Sequence, residues 1–125
     1  IADREIINEV NKVRLPFNLN SISQAVAAAL IKNPNTIKLH IGLITSERER
    51  LLNELWGIKG IKPYPSEANF ILFRTKNSDK IYYRLLKKGV LVRNMKGAVN
   101  GCLRVTIGTK KENNIFIKAL KEVMK

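Results

Sequence analysis

Apolar residues recur at helical spacing through the first half of the chain. Ile6, Val10 and Val13 fall on one face of a helix over about residues 3–13, and Pro16 breaks that pattern, leaving Phe17-Asn18-Leu19-Asn20 as an extended connection. A second helix is predicted from Ser21, where Gln24 three residues on completes a Ser-x-x-Gln capping box. Ile22, Ala25, Val26, Ala29 and Leu30 form its stripe, small residues at 25 and 27–29 allow close approach to a neighbour, and Asn33-Pro34-Asn35 ends it. A third, long helix is predicted over Thr36–Trp56, with Ile37, Ile41, Ile44, Leu51, Leu52 and Leu55 as its buried stripe, Glu47-Arg48-Glu49-Arg50 mostly in water and Gly57 as its stop.

After Gly57 the period changes. Gly60–Pro65, with prolines at 63 and 65, reads as a short strand or turn at a sheet edge, and Asn69–Phe73 as a strand apolar on both faces. Ser78 is the expected cap of a helix carrying Ile81, Tyr82, Leu85 and Leu86, which Gly89 terminates. Val90–Arg93 and Cys102–Ile107 read as strands on either side of a loop over Lys96–Gly101. Thr109 and Glu112 form a second capping box opening a helix with Ile115, Phe116, Ala119, Leu120 and Val123. Helices followed by β-β-α-β-β-α predict an α+β layer, a small sheet covered on one face by helices.

Composition narrows the classes. A chain of 125 residues that is 45% hydrophobic and 26% charged can bury one real core and is globular in profile. No apolar run approaches the roughly 20 residues of a membrane span, so no membrane partner is expected. The start, Ile1 to Glu5, has neither an initiator Met nor a targeting pattern, as expected of a chain that begins inside a longer polypeptide. One cysteine, Cys102, forms no internal disulfide, and one Cys with one His excludes a self-contained zinc site, which points to a reducing, cytoplasmic compartment.

The charge of +13 would suit nucleic acid, anionic lipid or small anionic substrates, or it is a lysine-rich surface that keeps the protein in solution. The basic residues are scattered, which favours the plain surface, and no strand interleaves aromatic and basic residues as an RNA-binding sheet does. No nucleic-acid partner is therefore expected, although a basic nucleic-acid-binding module remains the alternative from another class and a non-catalytic interaction domain a third.

Arg104 is the most informative residue. Along Cys102–Ile107 side chains alternate, so Leu103, Val105 and Ile107 face the helices while Cys102, Arg104 and Thr106 face away. A guanidinium among small side chains needs an anion: a bound carboxylate or phosphate, an internal salt-bridge partner, or water on an open face. Arg93 ends the preceding strand beside a glycine-containing loop, a frequent place for binding residues and also for a plain surface arginine. Gly97 and Gly101 match no phosphate-loop spacing. His40 has no partner to make it a general base, and Cys102 has no histidine in reach to activate it. Trp56 and Tyr64 read as packing residues, and Lys87, Lys88 and Lys96 are poor Schiff-base candidates because such a lysine needs burial.

Four segments carry a resemblance. They are Leu15-Pro16-Phe17-Asn18-Leu19-Asn20-Ser21-Ile22-Ser23-Gln24, Pro65-Ser66-Glu67-Ala68-Asn69-Phe70, Lys88-Gly89-Val90-Leu91-Val92-Arg93-Asn94 and Gly101-Cys102-Leu103-Arg104-Val105-Thr106-Ile107-Gly108-Thr109. In order and spacing they resemble the C-terminal portion of the histidinol-phosphate aminotransferases, fold-type I pyridoxal-phosphate enzymes. The resemblance implies that residues 1–20 are the end of a large cofactor-holding domain and its connection. Residues 21–56 would be connecting helices, and 57–125 a small α+β domain, its sheet mostly antiparallel, that closes over the substrate. It further implies that Arg104 and Arg93 bind the anionic groups of histidinol phosphate and of the glutamate/2-oxoglutarate pair. The full-length enzyme would be a homodimer using pyridoxal phosphate. The residues that anchor the cofactor would lie in the missing N-terminal domain, so this chain would hold neither a catalytic residue nor a cofactor site and would be inactive alone. Threonine-phosphate decarboxylase and aromatic aminotransferases share the Leu-Arg-Val strand and are the alternatives within the superfamily.

Overall fold

The structure is a computed structural model that describes residues 2–15 and 19–125. The chain falls into two compact units, Ile1–Lys38 and Leu39–Lys125.

In the first unit, helix α1 (Arg4–Val13) is capped by Asp3, whose carboxylate accepts from the Glu5 amide at 2.9 Å. The break expected at Pro16 and the first part of the connection expected at Phe17–Asn20, residues 17 and 18, lie outside the described residues. Helix α2 (Ser21–Lys32) starts differently from expectation. Asn20, not Ser21, is the N-cap, and its side-chain oxygen accepts from the Ser23 amide at 2.8 Å. Asparagine caps at least as well as serine, and its place one residue earlier puts Gln24 beyond the capping-box position. Gln24 instead donates to the Leu19 carbonyl at 3.0 Å. Helix α3 (Pro34–Trp56) begins two residues before the expected Thr36, because proline suits the first helical position, where its missing N–H costs nothing. No residue of α1 or α2 is buried, and Ile6, Val10, Val13, Ile22, Val26 and Leu30 are all exposed.

The second unit holds the core. Its sheet comprises β1 (Ile61–Pro63), β2 (Phe70–Thr75), β3 (Arg93–Asn94) and β4 (Cys102–Thr106), in the order β1-β2-β4-β3 with every pairing antiparallel. Alternation assigns the faces. Ile71 and Phe73 of β2 and Leu103 and Val105 of β4 are buried against Leu51 and Leu55 of α3, Ile81 and Leu85 of α4 (Ser78–Lys87), and Phe116, Leu120 and Val123 of α5 (Lys110–Val123). The Phe73 and Phe116 rings meet at 6.1 Å between centroids. The α+β expectation, a small antiparallel sheet with helices on one face, describes this unit.

Several local expectations change. Only the later part of the α3 stripe is buried: Leu51 and Leu55 are enclosed, Ile37, Ile44 and Leu52 are half-buried and Ile41 is exposed. Trp56 is 56% exposed, so it lies outside the core. Glu47, Arg48 and Arg50 are half-buried rather than in water. The N-cap of α4 is Asn77, without a side-chain cap bond, and Ser78 is the first helical residue.

The strand expected at Val90–Arg93 is reduced to Arg93–Asn94 because the end of α4 takes the Val90 amide. Val90 donates to Leu85 and Gly89 to Leu86, with Gly89 at φ +73°, a Schellman closure that glycine accommodates without strain. The capping box at α5 forms as read: Glu112 donates its amide to the Thr109 hydroxyl, and the Glu112 carboxylate accepts from the Thr109 amide at 2.8 Å.

Candidate functional site: an arginine pair on the open sheet face

The face of the sheet away from the helices carries Phe70, Leu72, Arg104 and Arg93, with Lys62 and Arg74 towards the other edge. Strand register decides who meets whom. Arg104 of β4 lies directly opposite Leu72 of β2 on one side and directly opposite Arg93 of β3 on the other. The two arginines are thus cross-strand neighbours. Like charges directly opposed across a ladder repel, unless an anion sits between them and accepts from both guanidinium forks.

No such anion is supplied among the described residues. Among the described residues, the carboxylates in ion pairs go to Lys12, Arg50, Lys88, Lys96 and Lys121, and to neither Arg93 nor Arg104. Arg104 is half-buried, its guanidinium carbon lies 4.9 Å from the centre of the Phe70 ring, and its Nε is buried without a hydrogen-bond partner. A buried N–H left unsatisfied costs free energy that an acceptor would recover. The Phe70 ring limits the side chain to few rotamers and adds a cation–π attraction. Arg93 is exposed and free to approach a ligand. Tyr82, Leu91, Val92, Arg93, Asn94, Arg104 and Thr106 line an open cleft of about 470 Å³, room for a small anionic molecule.

Tyr82 has a second role that sequence reasoning missed. As its place in the α4 apolar stripe predicts, it packs against the core, and half-buried at the rim it also lines the cleft, its ring 5.2 Å edge-on from Tyr83. Helical spacing gives the packing and is silent on the cleft. Asn94, adjacent to Arg93, also had no signal of its own; its partners lie 15 residues away in α4 and two residues on in the loop.

Behind the sheet a polar network fixes the turn after β4. Buried Asn113 donates to Glu47 at 2.8 Å and to the Gly108 carbonyl at 3.0 Å, and accepts from the Gly108 amide at 3.0 Å. Glu47 also receives both forks of Arg50, at 2.6 and 2.9 Å. The Arg50 hydrogen bonds, with help from Asn113, lower the Glu47 carboxyl to about 2.

The remaining candidates take structural places. Gly97 and Gly101 have φ of +89° and +76° in the turn between β3 and β4. Cys102 is fully buried with a free thiol, and Tyr64 accepts from Arg74 at 3.0 Å. His40 is exposed on α3. Every lysine in the chain is exposed, so none has the enclosed, desolvated surroundings that a Schiff-base lysine requires, and the described residues do not fit a pyridoxal-phosphate anchor. No group of three potential metal ligands occurs among the described residues, and no helix there is long and apolar enough to cross a membrane.

Comparisons with known proteins agree along nearly the whole chain. The family profile for class I and II aminotransferases matches residues 1–120. The histidinol-phosphate aminotransferase of Caldanaerobacter subterraneus subsp. tengcongensis is 39% identical over 126 residues, covering 99% of this chain and 36% of that protein. The crystal structure of the histidinol-phosphate aminotransferase from Clostridium acetobutylicum superposes with a TM-score of 0.83 at 30% identity, over 98% of this chain and 38% of that one. L-threonine-O-3-phosphate decarboxylase from Porphyromonas gingivalis shares the fold, with a TM-score of 0.76 at 23% identity over 98% of this chain and 39% of that one. The chain therefore spans little more than a third of the length of the proteins it matches. With a family profile along nearly all of its length, this chain belongs to the class I and II aminotransferases.

Proposed function

We propose that the chain is the C-terminal, substrate-closing part of a histidinol-phosphate aminotransferase. The full-length enzyme would transfer an amino group between histidinol phosphate and 2-oxoglutarate, using pyridoxal phosphate, as a homodimer in the cytoplasm. In this reading residues 1–20 end the large domain and lead out of it, 21–56 are connecting helices, and 57–125 form the small domain. The observation that carries it is the cross-strand pair Arg93–Arg104 on an open cleft, with no carboxylate ion-paired to either arginine among the described residues. A phosphate or carboxylate held between two planar forks satisfies both guanidinium groups and removes their repulsion. Histidinol phosphate brings a phosphate and 2-oxoglutarate two carboxylates, so one arginine pair serves both halves of the exchange. Pyridoxal phosphate, where bound, supplies the electron sink for moving the amino group. This chain contributes anion binding, orientation and exclusion of water.

Threonine phosphate offers the same anion, so the arginine pair alone does not separate amino transfer from decarboxylation. The full-length protein, loaded with pyridoxal phosphate and given histidinol phosphate and 2-oxoglutarate, is expected to form glutamate. Release of carbon dioxide from threonine phosphate with no glutamate formed from histidinol phosphate would overturn the assignment in favour of the decarboxylase.

A further inference from the structure

β3 is only two residues long and lies at the sheet edge, yet it carries the arginine that must face Arg104. So short an edge would fray unless something outside the ladder held it. The hold comes from α4. Asp79, in the first turn of that helix, accepts from the Asn94 side-chain amide at 2.7 Å and from the Lys96 ammonium at 3.1 Å. Asn94 in turn accepts from the Lys96 backbone amide at 3.0 Å, which closes the chain after β3 into a turn around the same carboxylate. The Asn94 hydrogen bond, then Lys96, holds the Asp79 carboxyl below the usual carboxylate range, and the helix N-terminus favours the same ionised form. Among the described residues, the side-chain hydrogen bonds from Asn94 and Lys96 to Asp79 are those that fasten the stretch Arg93–Lys96 to the rest of the unit.

We propose that Asp79 is a positioning residue for anion recognition: through Asn94 it fixes the strand end from which Arg93 converges with Arg104 on one anionic group. The proposal rests on the reading of that pair as the substrate-anion site. It follows from the cost of convergence. Arginine loses much rotamer freedom when its fork is fixed, and a backbone that also wanders adds to that loss each time the ligand binds. A tethered strand end makes the site preorganised.

The test uses the full-length, cofactor-loaded enzyme with histidinol phosphate and with histidinol, which lacks the phosphate. Asp79→Ala is expected to raise KM for histidinol phosphate about tenfold, the scale of one weakened charge-assisted hydrogen bond. It should leave kcat and the KM for histidinol nearly unchanged. Asp79→Asn, which keeps a neutral acceptor for Asn94 and little risk to folding, should show a smaller rise in the same parameter. In an Arg93→Ala background, Asp79→Ala should add less than about twofold, because the residue it positions is gone. An equal factor in both backgrounds, or the same rise for histidinol, would overturn the positioning role. If instead Arg93→Ala alone leaves KM for histidinol phosphate unchanged, the anion-site reading itself fails.

Discussion

Helices α2 and α5 carry nearly the same pattern and meet opposite ends. In α2, Ile22, Ala25, Val26, Ala29 and Leu30 stand at helical spacing, and none is buried. In α5, Phe116, Ala119, Leu120 and Val123 stand at equivalent spacing, and all are enclosed against the sheet and α4. Both helices have a side-chain N-cap, so local propensity does not distinguish them. The difference is what the chain supplies as a partner. The sheet and two other helices give α5 a surface to cover, at about 1.5–3 kcal/mol for each large side chain buried. An amphipathic pattern thus states that a helix needs a partner and is silent on which chain segment provides it. On the proposed function, the partner of α2 is the cofactor-holding domain.

The largest effect that sharpens this contrast comes from matched truncations. Leu103→Ala, at a fully buried site on β4, is expected to cost about 2–5 kcal/mol in urea unfolding of the 125-residue chain, through lost transfer energy and the cavity left behind. Val26→Ala in α2 should change stability by less than about 0.5 kcal/mol, as at other exposed positions. The intact chain should also bind a hydrophobic dye through its exposed stripe, and Val26→Lys should weaken that binding. A Val26→Ala cost near that of Leu103→Ala would mean that α2 is packed in solution.

A smaller effect is electrostatic and confined to the second unit. The Glu47 carboxyl, held at about 2 by Arg50 and Asn113, stays ionised in the folded protein where the unfolded chain has begun to take up protons. Its contribution is complete above the ordinary carboxylate value of 4.5 and is lost as pH falls through about 2. Stability should therefore fall with falling pH across that window, with Glu54, Asp79, Glu112 and Glu122 contributing in the same direction. Glu47→Gln should flatten the slope, read from thermal midpoints at several pH values. An unchanged slope would show that the Glu47–Arg50–Asn113 network is not formed in solution.

The fold of the second unit was legible because short-range rules decide it. Alternation along Cys102–Ile107 assigned the core face, and Thr109 with Glu112 marked the start of α5. Where local rules compete, the sequence was ambiguous. Asn20 and Ser21 are both good caps and only the structure chooses; Val90 could extend a strand or close a helix, and the closure wins with Gly89 beside it. Contacts at long sequence separation had no signal. Asn113 reaches Glu47 across 66 residues, and the run Glu47–Arg50 read as solvated because each residue is charged. Arg93 and Arg104 were visible as separate arginines, whereas their opposition depends on the β3–β4 register, which the loop between them sets.

The central claim is that Arg104 holds the anionic end of the substrate, with Arg93 supporting it. The measurement that tests it most directly is kcat/KM of Arg104→Ala in the full-length enzyme, compared between histidinol phosphate and histidinol. The account predicts a loss of about ten- to a hundredfold or more for histidinol phosphate, from a bidentate contact with hydrogen bonds worth roughly 1.5–3 kcal/mol each, and little change for histidinol. Arg104→Lys should recover little, because an ammonium cannot reproduce the planar fork. Cofactor binding should be intact. An equal loss on the substrates with and without the phosphate would contradict the account and make Arg104 a structural residue of the sheet.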